Sequence, residues 1–146
     1  MALKVVIDTN IFISIKNKEP YMIGSREVLD KIDEGTLKGI VSTIAIAEMC
    51  SGYYAAGELK EKDEFLMHIL TSPNYGVVDV TATIADEAGR IRASTGLRLP
   101  DALIVATGLR EKADYLVTYD ETLRKAGKLI KIASAKEMVA KLKGQK

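Results

Sequence analysis

The sequence predicts an α/β protein, a three-layer α/β/α sandwich built on a mostly parallel five-stranded sheet. Three observations lead there. Short, continuous apolar runs alternate with segments of helical period along the chain, the pattern of strands buried on both faces and joined by crossover helices. The 146 residues are the ordinary size of one domain, so a single unit over 1–146 is expected. Hydrophobic residues make up 47% and charged residues 28%, with only three prolines, which leaves out the disordered and fibrous classes.

In chain order, residues 4–7 form a strand of β-branched character that ends at Asp8. Asp8 and Asn10 then make a turn from which Ile11, Phe12 and Ile13 return to the core. Residues 28–35 have helical spacing, with Ser25 as N-cap and Gly35 as the stop. A short strand over 39–42 leads into a helix that Thr43 caps and Gly57 closes. Residues 58–72 form a helix with charge crowded at its start, and "SPNYG" breaks it before the strand "VVDV". Residues 83–95 are helical, and "LRLPDALIVATGLREKA" is a helix that Pro100 opens. The strand "YLVTYD" ends at Asp120. A short "ETLRKAG" helix, the strand "LIKIA" and a terminal helix from about Ser134 follow. In a sheet of this kind the site lies outside the carboxyl ends of the strands, where the strand order reverses, and Asp8 and Asp120 both fall at predicted strand ends.

Charge and motifs exclude several functions. The formal net charge is +1, so no global basic field gathers nucleic acid, and contact with phosphates must be local or mediated by a cation. The single cysteine, Cys50, makes no intrachain disulfide, and no charged leader precedes an apolar stretch, so a cytoplasmic address is expected. No uncharged apolar run is long enough to cross a bilayer, which argues against the membrane. The signatures GxGxxG, GxxxxGK[ST], CxxC, HExxH and GxSxG are missing. The lone His68 has no second histidine with which to share a metal and reads as a partly buried helix residue, and Cys50 reads as a small buried thiol.

Four acids stand where acids are costly. Glu48 is the only charged side chain from Gly39 to Gly57, and its helical neighbours Ile44, Ala45, Ser51 and Gly52 are apolar or small. Asp101 opens a stretch with no other charge until Arg110. Each has an ordinary explanation: Glu48 on a wet edge, Asp101 against a helix dipole, Asp8 in a turn, Asp120 as a cap. Taken together, they occupy places that a doubly wound fold brings to one rim. Two carboxylates about 4 Å apart repel by about 4 kcal/mol at an effective dielectric of 20, so such a cluster calls for a cation. The available ligands are hard oxygens, which select Mg²⁺ or Mn²⁺, ions that activate water for phosphodiester hydrolysis. The remaining acids lie on charge-dense segments and read as solvated helix faces.

These residues resemble a known family. "VIDTNIFI", "STIAIAEMCSG", "LPDALIVATG" and "LVTYDETL", in this order and spacing, are similar to the four acidic segments of PIN-domain ribonucleases, in particular VapC-like toxins of toxin–antitoxin pairs. The resemblance implies that Asp8, Glu48, Asp101 and Asp120 form a catalytic, metal-binding quartet, with Asn10 and Thr118 as supporting polar residues. It implies a parallel five-stranded sheet, Mg²⁺- or Mn²⁺-dependent cleavage of single-stranded RNA, a homodimer, and an antitoxin whose C-terminal segment lies across the site. No separate cofactor-binding residues are assigned. Ile44, Met49, Tyr53 and Tyr54 offer apolar surface for a dimer or antitoxin, against the plainer reading of core packing. Arg98 and Arg124 flank the acidic segments and are candidates for RNA phosphate contacts. Two other readings stay open: a PIN-fold RNA-processing nuclease or silent scaffold, and a phosphoacceptor receiver module, for which Asp8 lacks an acidic neighbour.

Overall fold

The first strand, β1 (Leu3–Ile7), is apolar and buried on both sides from Val5 to Ile7 because it lies at the centre of the sheet. A computed structural model describes residues 2–144; Met1, Gln145 and Lys146, which the expected single domain includes, lie outside them. The elements that follow are α1 (Thr9–Lys16), α2 (Met22–Asp33), β2 (Leu37–Ser42), α3 (Thr43–Ala56), α4 (Leu59–Thr71) and β3 (Tyr75–Val78). The second half holds α5 (Ala82–Thr95), α6 (Leu99–Arg110), β4 (Tyr115–Val117), a 3₁₀ segment (Glu121–Ala126), β5 (Ile132–Ala133) and α7 (Ala135–Lys143). The five strands are all parallel, in the order β3-β2-β1-β4-β5. The expected three-layer α/β architecture is what the structure has.

Successive residues of β1 face opposite layers. Val5 and Ile7 join one core with Ile11, Val28, Met49 and Met138, while Val6 joins the other with Ile91, Ile104 and Leu116. Helix α6 comes close to β1 at Gly108, where a Cβ would meet Val6 Cγ1 at 2.8 Å and Ile130 Cδ1 at 2.9 Å. Among the described residues no helix is long and apolar enough to cross a membrane.

The structure corrects several boundaries. The expected turn at Asp8 is the start of α1: Asp8 is extended at φ −71°, ψ 150° and its carboxylate accepts the Thr9 N–H, an N-cap. Ile11, Phe12 and Ser14 are then buried along one side of that helix, so tertiary burial overrides their strand preference. Helix α2 begins at Met22, and Ser25, expected as its cap, is buried inside it with its Oγ 2.6 Å from Ser14 Oγ. Ser42, not Thr43, caps α3, while Thr43 Oγ1 accepts from the Val80 N–H. Strand β2 starts earlier than expected, β3 lies two residues before "VVDV" and β5 keeps only two residues. Strand β4 stops at Val117, so Asp120 stands beyond its end and caps the 3₁₀ segment instead. The two expected glycine stops hold, with Gly35 and Gly57 at positive φ just past α2 and α3.

Strand order positions the site. The chain winds outward from β1 through β2 to β3, then returns to place β4 on the other side of β1. The reversal point is therefore the crevice beyond the carboxyl ends of β1 and β4.

Candidate active site

Ile7 and Val117 are register partners across β1 and β4, so the next residues, Asp8 and Thr118, leave the sheet side by side. The Asp8 N–H donates to the Val117 carbonyl at 3.0 Å. Thr118 Oγ1 donates to Asp8 Oδ2 at 2.7 Å and accepts from Asn10 Nδ2 at 3.1 Å and from the Asp120 N–H at 2.9 Å. One hydroxyl thus uses its single proton and both lone pairs to join Asp8, Asn10 and Asp120. Asn10 Oδ1 accepts from the Tyr119 N–H at 3.2 Å, which ties the start of α1 to the loop after β4.

The other acids arrive from α3 and α6. Glu48, half-buried on α3, accepts from Thr9 Oγ1 at 2.7 Å, and Asp8 Oδ1 accepts from the Thr9 N–H at 2.8 Å. Thr9 is a site residue that sequence reasoning missed; its only signal was its place between Asp8 and Asn10. Asp101 is buried to 5% exposure in the first turn of α6, where Pro100 and the Arg98 N-cap start the helix. Arg98 donates from Nε to Asp101 Oδ2 at 3.2 Å and from an Nη to Oδ1 at 3.5 Å. Asp120 Oδ1 accepts from the Thr122 N–H at 2.9 Å and its hydroxyl at 2.7 Å.

Electrostatics link the four. Asp8 is 5% exposed, and its carboxyl is pushed up to about 6, first by burial and then by the charges of Asp101 and Glu48, against the bonds from Thr118 and Thr9. The exposed Arg98 guanidinium is raised by its bond to Asp101, with further contributions from Asp120 and Glu48. The structure therefore brings Asp8, Glu48, Asp101, Asp120, Asn10, Thr118 and Arg98 into one neighbourhood. Arg124 is placed otherwise: its guanidinium pairs with Glu121 and Glu137, each at 2.8 Å. Tyr53 packs against Phe65, Met49 is buried in the core, and Tyr54 is exposed beneath the Lys62 ammonium.

Among the described residues no three His, Cys, Asp or Glu side chains are gathered closely enough to make a ready cation site. Two of the carboxylates are instead engaged by Thr9 and Arg98. The donor set is nonetheless all hard oxygen, and Asp8 is a buried acid whose ionisation its surroundings oppose, so the residues fit a hard divalent cation.

The family model for the PIN domain matches residues 5–129. The chain belongs to the PIN domain family. PIN domains are typically nucleases, and they generally use divalent metals. This PIN domain is similar in structure to VapBC2 from Rickettsia felis bound to a DNA fragment from their promoter, with TM-score 0.71 and 20% identity over 90% of this chain and 98% of that one. A toxin–antitoxin complex from Klebsiella pneumoniae aligns with TM-score 0.68 and 19% identity over 90% and 97% of the two chains. DNA-bound VapBC from Salmonella typhimurium aligns with TM-score 0.63 and 21% identity over 91% and 98%. No curated protein matches this chain in sequence.

Proposed function

We propose that the chain, acting as a single domain, is a Mg²⁺- or Mn²⁺-dependent endoribonuclease that cuts single-stranded RNA and serves as the toxin of a toxin–antitoxin pair. The observation that carries the nuclease reading is the buried Asp8 carboxyl, held up to about 6 by burial and by Asp101 and Glu48. Burial and those two charges oppose its ionisation, and Asp8, Glu48, Asp101 and Asp120 are the residues that would hold a cation there. When bound, a divalent ion supplies an activated water and a counter-charge for a phosphodiester.

The chain's own contribution is to orient these groups. Thr118 and Thr9 fix the two oxygens of Asp8, and Thr9 also restrains Glu48, so the carboxylates keep their facing directions. Asn10 fixes the loop that carries Asp120. Arg98, exposed beside Asp101, is our candidate for a phosphate contact in preference to Arg124, whose guanidinium Glu121 and Glu137 engage. The toxin assignment and its cognate antitoxin are supported by likeness to toxin–antitoxin structures, and a homodimer and a cytoplasmic address belong to the same proposal.

The test is cleavage of a mixed single-stranded RNA with Mg²⁺, with Mn²⁺ and with chelator, comparing the parent with Asp101→Asn. We expect metal-dependent cutting that the variant abolishes while its fold is kept. A folded, partner-free parent that cuts nothing, or a variant that cuts at the parental rate, overturns the assignment.

A further inference from the structure

Tyr119 lies between Thr118 and Asp120 but sends its ring away from the acids, onto α2. There it stacks on Tyr21, with ring centroids 4.3 Å apart and planes inclined by 20°. The Tyr119 hydroxyl donates to the Tyr21 carbonyl at 3.0 Å and accepts from Ser25 Oγ at 3.0 Å, and Ser25 in turn touches the buried Ser14 hydroxyl. The Tyr119 ring is therefore held from behind, whereas Tyr21 is 56% exposed. The pair borders a cavity of about 440 Å³ between α2 and α7, with Ile23 and Val139 on its walls and Lys136, Lys143 and Glu27 also lining it. That volume lies within the range of ordinary ligand pockets. The proposed cleavage machinery makes no use of it.

We infer that the Tyr21–Tyr119 pair is a stacking platform that seats one unpaired base of the RNA strand beside the acidic rim, with Lys136 and Lys143 as cations for its phosphates. The inference rests on the ribonuclease reading and names the substrate feature the enzyme selects. A pre-stacked, exposed aromatic face next to cations suits a planar base followed by a phosphate, because every base offers a π-face and every linkage a negative charge. An apolar peptide would make no use of the two lysines. Tyr119 is the chain neighbour of Thr118 and Asp120, so a strand resting on the pair can run on from it to the acidic rim. A base-paired strand keeps its bases inside the helix and gains nothing there, which gives preference for single strands.

The experiment uses short single-stranded RNAs, each with one abasic nucleotide stepped along the strand, bound by the full chain in an Asp101→Asn background that leaves them intact. We expect one abasic position to weaken binding roughly ten-fold or more. Tyr21→Ala should bind the normal strand about as weakly and lose its sensitivity to that position, and Tyr21→Phe should behave as the tyrosine does. Identical profiles with tyrosine and alanine at position 21, or no binding to any strand, overturn the platform. Cleavage by the parent with Mn²⁺ is read separately. Cutting with no Tyr21 effect removes the platform and leaves the nuclease, whereas a Tyr21-dependent base effect without cutting removes the nuclease and leaves a strand-binding surface.

Discussion

Thr118 Oγ1 and Asp8 Oδ2 stand 2.7 Å apart across the junction of β4 and β1, and the same hydroxyl accepts from Asn10 and from the backbone of Asp120. Replacing Thr118 with valine keeps its shape and removes all three bonds at once. The Asn10 amide and Asp120 N–H lose their acceptor, at about 1–3 kcal/mol for each group left buried and unpaired. Thr118→Val should therefore lower the melting temperature and weaken Mn²⁺ binding about 10- to 100-fold in calorimetry.

Asp8 gives the metal-free protein a distinctive pH profile. Its carboxyl is raised from 3.8 to about 6 in the folded state, so between these values the folded chain holds a proton that the unfolded chain has released. The Asp8 contribution to stability then falls as pH rises through this window, with a penalty near neutrality of about 3 kcal/mol at most. Denaturant midpoints at pH 4 and pH 7 measure the difference. Asp8→Asn should flatten this part of the profile. Its new amide faces a Thr118 hydroxyl whose lone pairs are already taken, so the variant should be less stable than the parent at pH 4 and recover relative to it at pH 7.

The same proton couples to metal binding. A cation on Asp8 requires the ionised carboxylate, so association near pH 6 should release a proton and affinity should fall as pH drops below that value. Mn²⁺ titrations in buffers of different ionisation enthalpy read the proton directly.

Gly108 tests the packing of α6 on the sheet. Its Cβ would meet Val6, in the central strand, at 2.8 Å. Gly108→Ala should cost about 1–3 kcal/mol despite alanine's better helix propensity, because the strand cannot yield. Thermal melts of the described fold, compared with Gly89→Ala, where nothing lies within 4 Å of the added methyl, separate the two effects.

Much of this was legible in the sequence. Continuous apolar strands alternating with helices specified a parallel α/β sheet, and Glu48 stood out as a lone charge in an apolar helix. The start of α1 was not legible, since Ile11, Phe12 and Ile13 read as strand residues and only burial on one side of a helix explains them. Ser25 looked like a cap and is a buried tie to Ser14 and Tyr119, a role that depends on which helices neighbour it. Thr9 and the Tyr21–Tyr119 pair were invisible for the same reason: their partners lie far along the chain.

That remoteness also bears on how the molecule is made. Asp8 and Thr118 are 110 residues apart, and Asn10 meets Tyr119 across 109. At typical rates of protein synthesis, on the order of ten seconds separate the two halves of that pairing on the ribosome. The first strand emerges with its carboxylate but without the hydroxyl that aims it, so the growing polypeptide stays unarmed until β4 docks beside β1. Closing so distant a contact is entropically slow, which makes completion of this rim a late event in folding.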